Sequence, residues 1–473
     1  MNNRSSFLSR DPAWTANLFF GRQNALNWID DKLGRETPQN CNITAEPRQG
    51  KTSFLYQIYD QKIGLRQDAS GLYVWVRLVE LSAFDSQSFW RFMIERFNTA
   101  VSQAGFSPIE DLDEFENANE LFDELDEAIE LLTEDDQLNR LVFVIDDFDV
   151  LIPTLTSRDL DWLRALANRY RDTLAFVIGS TDSLVSLTEQ IVRRESGDST
   201  QAISPFANFF HNLPLGLLAQ SEAIALCECA DDLETAVALN EEDIQFLLKE
   251  AGRHPDLLKM GLGHLVSAKL LSDPDEIYED TAGDLRFDEH AKGLSRQLFD
   301  RLSSDERTVV LSLANENGES ELDRILLNQL KRHVGLIEKR NGRMVPFADT
   351  FKYWVTRFAN EDSQPKPEQP AAPEEEEMFQ YIQEQRTVKL ANGTLVRLTP
   401  LENRLLVYFI EHANQVCTIG DLLKNVWGPN KSRAVVEKAV NRLRTKIETD
   451  PKRPRYILSA RGEGYLLRYE ATT

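Results

Sequence analysis

The chain has 473 residues, 42% of them hydrophobic, and 53 basic against 77 acidic side chains give a net charge of −24. A body this acidic is repelled by phosphate over most of its surface, which excludes a general nucleic-acid coat. Four cysteines make no disulfide framework, no apolar run reaches the roughly 18 residues of a membrane span, and the first residues lack the apolar core of a secretory signal, so a cytoplasmic chain of about three domains is expected.

The first chemistry-bearing segment follows a short strand over 41–44. Ala45-Glu46-Pro47-Arg48-Gln49-Gly50-Lys51-Thr52 comes next, and Ser53 to Ile58 has helical character. Strand, loop and helix in that order form a P-loop, in which backbone N–H groups and a helix N-terminus surround phosphate oxygens. Lys51 is expected on the β- and γ-phosphates and the Thr52 hydroxyl on Mg²⁺. The pattern asks for glycine at position 45, and this chain has alanine.

A further strand is predicted over 71–81. Residues 107–139 then carry fourteen Asp/Glu and no Lys/Arg. Leu121, Phe122, Leu125, Ile129 and Leu132 keep helical spacing there, so an amphipathic helix with a solvated acidic face is predicted. Arg140 to Ile145 is a continuous apolar run that ends in Asp146-Asp147, as buried parallel strands do. Asp146 is placed to hold Mg²⁺ through water, and Asp147 to orient or activate an attacking water as the catalytic carboxylate. Leu174 to Gly179 is another such run, ending at Ser180-Thr181, whose hydroxyls are candidates to sense the γ-phosphate. The alternation of strands and helices predicts a parallel α/β sheet with ligand at the strand C-termini.

These motifs resemble the STAND and Orc-like AAA+ ATPases. Phe20-Gly21-Arg22 is similar to the segment that borders the adenine in that family, and residues 46–53 resemble its Walker A. Asp146-Asp147 matches its acidic pair. Gly252-Arg253-His254-Pro255 is similar to its small-domain glycine–x–proline motif. The resemblance implies ATP/ADP and Mg²⁺ as cofactors, held by Arg22, Glu46, Pro47, Arg48, Gln49, Gly50, Lys51, Thr52, Ser53 and Pro255. Ala45, and the lack of an arginine after Thr181, depart from the family and bear on hydrolysis, which stays open.

Helices are predicted from about 217 to 263, with Cys227 and Cys229 as small buried or boundary residues rather than metal ligands. From about 295, a capping box at Ser303 to Glu306, further apolar helices and a hairpin turn at Asn341-Gly342 suggest a winged-helix-like unit, which in the resemblance reads nucleotide state. Residues 361–377, EDSQPKPEQPAAPEEEE, bury too little to fold and read as a linker. Beyond it, from residue 378, 16 Lys/Arg face 9 Asp/Glu, a net of +7, which leaves −31 for the preceding residues. A basic end on an acidic body hints at nucleic-acid binding.

The basic end begins with a hairpin turning at Asn392-Gly393. Thr399-Pro400-Leu401-Glu402 opens a helix, and a second short helix covers 419–427. A third helix runs from about 432 to 448. At about 100° per residue, Val435, Val436, Ala439, Val440, Leu443 and Ile447 share one face. Lys438, Asn441 and Thr445 centre the other, with Arg433, Arg442 and Arg444 beside them, an arrangement able to donate to base edges and phosphates. A last hairpin has a basic tip at Arg461. Residues 398–402, Trp427-Gly428, residues 440–447 and residues 461–465 resemble the OmpR-type winged helix of response regulators. That resemblance implies double-stranded DNA as partner and Arg433, Lys438, Asn441, Arg442, Arg444, Lys446 and Arg461 as DNA contacts.

The predicted organisation is a P-loop domain over 1–215, a helical small domain over 216–290, a winged-helix-like domain over 291–360, the linker, and an OmpR-type domain over 378–473. Two functions fit. One is a nucleotide-switched transcription regulator that self-associates on activation, with a protein partner as its input. The other is an ATP-dependent DNA-targeting assembly of a defence or mobile-element system. Neither includes a membrane.

Overall fold

The computed structural model describes residues 19–66, 70–81, 85–110, 112–134, 138–196, 205–228, 237–315, 324–331, 335–363, 380–382, 387–389, 395–413, 415–427, 433–448, 454, 456–460 and 464–468. Two compact units result, the first ending at Ser363.

The first unit opens with α1 (Gln23–Leu33), β1 (Asn40–Thr44), α2 (Lys51–Asp60), β2 (Gly71–Arg77), α3 (Ser86–Gln103), α4 (Ala118–Glu134), β3 (Arg140–Asp146), α5 (Ser157–Arg169), β4 (Leu174–Ser180), α6 (Leu184–Ser196) and β5 (Phe210–Pro214). The strands form one parallel sheet in the order β2-β3-β4-β1-β5. β3 and β4 are buried at every position, which is why they read as unbroken apolar runs. Their alternate residues feed two cores. Val142 and Val144 pack with Phe54, Leu55 and Ile58 of α2. Leu141, Phe143 and Ile145 pack with Phe97 of α3 and Leu121 and Leu125 of α4. The sheet thus lies between two helical layers.

The predicted strand over 71–81 ends earlier, at Arg77, and Leu78–Glu80 turns as a short 3₁₀ segment. That bend leaves Arg77 at the C-terminal edge of the sheet, in register with Asp146. β5 was not legible in the sequence. It lies at the sheet edge and its FHNLP sequence buries only Phe210 fully.

A second core is helical: α7 (Gln220–Glu228), α8 (Glu241–Glu250), α9 (Pro255–Leu271), α10 (Ile277–Phe287), α11 (Glu289–Asp300), α12 (Ser304–Ala314) and α13 (Arg324–Gln329), then the hairpin β6 (Ile337–Arg340) and β7 (Arg343–Pro346), and α14 (Asp349–Ser363). Leu247, Leu258, Leu265, Leu298, Val310, Phe347 and Phe351 are buried together. Ser303 caps α12 in a reciprocal box with Glu306. The hairpin turns where Asn341 and Gly342 take φ of 49° and 85°, the left-handed pair a two-residue turn requires. Cys227 is buried on α7, where desolvation pushes its thiol up to about 12; Cys229 lies outside the described residues.

The second unit has a three-stranded antiparallel sheet of β8 (Gln380–Ile382), β9 (Thr387–Lys389) and β10 (Leu395–Arg397). α15 (Pro400–Glu411), β11 (Val416–Thr418), α16 (Ile419–Leu422), a π turn over Leu423–Trp427 and α17 (Arg433–Ile447) follow. β12 (Ile457–Ala460) and β13 (Gly464–Leu467) close a second sheet in the order β11-β13-β12. Val436, Ala439, Val440, Leu443 and Ile447 of α17 are buried against Leu405, Leu406 and Phe409 of α15. This is a winged helix. The predicted turn at Asn392-Gly393, most of the linker, and the wing tip at Arg461 lie outside the described residues. Among the described residues no helix is long and apolar enough to cross a membrane.

Candidate functional site

The parallel register brings Thr44 level with Ser180, and Asp146 level with Arg77. The loop after β1 therefore lies above the sheet's C-terminal edge. It contains two left-handed residues, Arg48 at φ 63° and Gly50 at φ 90°. A Cβ on Gly50 would meet nothing within 4 Å, so glycine is needed there for its backbone and not for space. Ala45 is not among the positive-φ residues, and at that position the turn does not demand glycine. The Gln49 side chain accepts from the Glu46 N–H at 3.0 Å and holds the loop closed. α2 then starts at Lys51 with Gly50 at its N-cap and no side-chain cap, so the positive end of the helix dipole points at the loop.

Lys51 Nζ donates to Asp146 Oδ1 at 2.6 Å and to Asp147 Oδ1 at 3.0 Å. Burial alone would lower the lysine pKa, but the two carboxylates outweigh it and raise it, so the ammonium is retained. Asp146 is fully buried, and its Oδ2 has no hydrogen-bond partner among the described residues. An orphaned buried carboxylate oxygen beside a lysine, with Thr52 on the first turn of α2, is a donor set that fits Mg²⁺ bound with a phosphate.

Above the loop is a cavity of about 610 Å³, a volume suited to a nucleotide. Every residue from Glu46 to Ser53 lines it, with Arg22, Asp147, Thr181 and Pro255. The predicted nucleotide-binding residues are therefore brought together around one space. Phe19, Phe20, Leu218 and Leu226 supply its apolar part, and Arg77, Asp256, Lys259 and Gln297 complete the wall.

Ser180 differs from expectation. It is fully buried; its hydroxyl accepts from Asn42 Nδ2 at 2.8 Å and donates to the Asp182 carbonyl at 2.7 Å. It braces the strand end from within, while Thr181 faces the cavity. Asp149, which sequence reasoning passed over, fixes that turn by accepting the Thr181 N–H at 2.9 Å from both carboxylate oxygens.

The helical core closes over the loop through three contacts. Arg22 is buried, and its guanidinium donates to the carbonyls of Leu215, Gly216, Leu217 and Gln49, tying the loop to the segment after β5. Desolvation lowers its pKa to about 10. His254 caps α9: its Nε2 donates to the Pro47 carbonyl at 3.1 Å while Nδ1 accepts from Leu257 N–H. Burial drives its pKa down to about 4, so the ring is neutral at physiological pH. Arg301, at the end of α11, donates to Glu46 Oε2 at 2.8 Å and to Asp182 Oδ1 at 2.6 Å. No local motif announced Arg301, because its partners are distant in sequence.

On α17 the expected DNA face is only partly presented. Arg442 is exposed. Arg433, Lys438 and Asn441 have their places on the helix. Arg444 corrects the helical-wheel reading: it is buried, donates to the Ile457 carbonyl at 2.9 and 2.7 Å, and lies over the Tyr465 ring. It fastens α17 to the closing sheet instead of pointing outward. Lys446 is paired with Glu402 at 2.6 Å, within the capping box of α15.

Residues 393–467 match the family described as Transcriptional regulatory protein, C terminal. Over 77 residues the chain is 46% identical to the DNA-binding response regulator MtrA of Mycobacterium tuberculosis, covering 16% of this chain and 33% of that protein. Over 75 residues it is 44% identical to ycf27 of Guillardia theta, covering 15% of this chain and 30% of the relative. The chain thus spans about a third of the length of the curated relatives it matches. The Walker-type ATPase of Pyrococcus abyssi superposes with a TM-score of 0.50 at 14% identity, over 74% of this chain and 99% of that one, a likeness of fold.

Proposed function

We propose that the protein is a DNA-binding transcription regulator whose state is set by ATP or ADP bound at the P-loop. The observation that carries this reading is the position of Lys51, held between Asp146 and Asp147 at a cavity whose other wall is the helical core. Phosphates would draw Lys51 and the amides of α2. Mg²⁺, held by Thr52 and Asp146, would neutralise phosphate charge. Because His254 and Arg301 bond directly to the loop and to the Asp182 turn, a change of nucleotide at the loop is felt by α9 and α11.

The relative MtrA is named a DNA-binding response regulator, and the shared segment is the winged helix. In this chain that module would bind double-stranded DNA, with Arg442, Arg433, Lys438, Asn441 and Arg461 as contacts. Activation would be self-association, which multiplies DNA affinity by joining several weak modules. A protein partner would supply the input. Nucleotide binding by wild type and Lys51→Ala, titrated with ADP and a non-hydrolysable ATP analogue, tests the first step. Loss of both nucleotides in the variant is expected; unchanged affinity would remove the P-loop from the mechanism.

A further inference from the structure

This inference deepens the nucleotide reading and rests on it. A switch between ATP and ADP needs a group whose contact with the nucleotide depends on the terminal phosphate. The turn after β4 does not supply a cation: its sequence is Ser180-Thr181-Asp182-Ser183, and the Ser180 hydroxyl is engaged inward. Arg22 and Arg301 have their guanidinium groups on the carbonyls and carboxylates already described.

The neighbouring strand supplies one. Arg77 is the last residue of β2, is in register with Asp146, and lines the cavity with its side chain partly exposed to it. Its Nε lies 3.9 Å from Asp147 Oδ2, while Lys51 Nζ lies 3.0 Å from Asp147 Oδ1. Asp147 takes the left-handed φ of 59°, and its two carboxylate oxygens face the two cations separately. Two cations therefore flank the Asp147 carboxylate at the wall of the cavity. Bound phosphates bring a second anion to that place, and a guanidinium fork suits a phosphate's oxygens.

We propose that Arg77 contacts the terminal phosphate of bound ATP and is the residue by which the site distinguishes ATP from ADP. The 3₁₀ turn at Leu78–Glu80 packs against the one that follows Asp147, Phe148–Leu151, so an arginine drawn toward phosphate also pulls on the segment that carries Asp149 and the Thr181 turn.

The test is calorimetric titration of the full-length protein with ADP and with a non-hydrolysable ATP analogue, both with Mg²⁺, for wild type, Arg77→Gln, Arg77→Lys, Asp147→Asn and the Asp147→Asn, Arg77→Gln double variant. Arg77→Gln is expected to weaken the ATP analogue about 10- to 100-fold and ADP by less than about twofold, as loss of a charge-assisted hydrogen bond predicts. Arg77→Lys keeps the charge without the fork and should fall between. Should Arg77→Gln not fold, by thermal unfolding midpoint, Arg77→Lys decides on its own: unchanged preference for ATP overturns the proposal. Equal loss of both nucleotides overturns it too. So does the same ATP-specific loss in Asp147→Asn with no further loss on adding Arg77→Gln, since Arg77 would then act only by holding Asp147. If wild type binds neither nucleotide, the nucleotide reading fails and this one with it; if wild type binds both and only the Arg77 arms miss, the nucleotide reading stands alone.

Discussion

Lys51 and Arg444 are both basic residues that sequence patterning assigns to a ligand, and their surroundings separate them. Lys51 faces two carboxylates beside a cavity, an arrangement that an incoming phosphate can replace. Arg444 donates twice to the buried carbonyl of Ile457. Arg444→Ala should therefore cost about 2 kcal/mol of stability in urea unfolding, through the unsatisfied Ile457 carbonyl and the lost packing on Tyr465. Arg442→Ala should leave stability unchanged and lower the salt slope of DNA binding by about 1. A stable Arg444→Ala that loses DNA instead would restore the outward reading. A helical wheel cannot see this difference: it treats arginine as polar, while a long stem over an aromatic ring lets the charge reach inward. His254 carries a different expectation. Its folded pKa, near 4, lies below the ordinary 6.5, so the unfolded chain binds the extra proton. The stabilisation is complete above about pH 6.5 and is lost as pH falls toward 4, up to about 3 kcal/mol. His254→Phe should show a shallower fall in unfolding midpoint between pH 7 and pH 5 than wild type; equal slopes would place the titration elsewhere.

Among the elements, the start of α9 shows how a short motif does mechanical work. Gly252 has φ 65°, and a Cβ there would lie 2.3 Å from the Phe347 carbonyl oxygen at the end of the β6–β7 hairpin. Gly252→Ala combines left-handed strain with a backbone clash and should cost about 2–4 kcal/mol by urea unfolding. A loss under about 1 kcal/mol would mean the hairpin moves aside freely. The Arg301 contacts with Glu46 and Asp182 are part-exposed, so they contribute little to global stability, about 1 kcal/mol. Their effect is expected on exchange: Arg301→Ala should release a fluorescent ADP analogue about fivefold faster, and an unchanged rate would make the contact incidental. The buried strands, the Ser303 cap and the Asn341-Gly342 turn were all legible, because burial, capping and left-handed turns each demand particular residue types at fixed spacing. β5, β8 and β11 were not. They are three to five residues long, too short for a periodic pattern to show, and β5 exposes His211 and Asn212 in succession. The loop residues that line the cavity were legible for the same reason as the strands. Arg77, Asp149 and Arg301 were not, because their roles come from parallel register and from contacts across two cores.

Taken whole, the chain couples an acidic body of charge −31 to a basic winged helix of +7. A lone copy pays an electrostatic penalty on DNA, since its body is repelled by the phosphates its last module attracts. Several copies together would change the balance, because each added winged helix would bind at high effective concentration and raise affinity by about 10²–10⁴. Nucleotide control of self-association would therefore be control of DNA binding. Mass in solution, measured with ADP and with a non-hydrolysable ATP analogue, each with and without short duplex DNA, tests this directly. A shift from monomer to oligomer with the ATP analogue alone, accompanied by tighter DNA binding, is the expected result. One mass in every nucleotide, with DNA affinity unchanged, would contradict it.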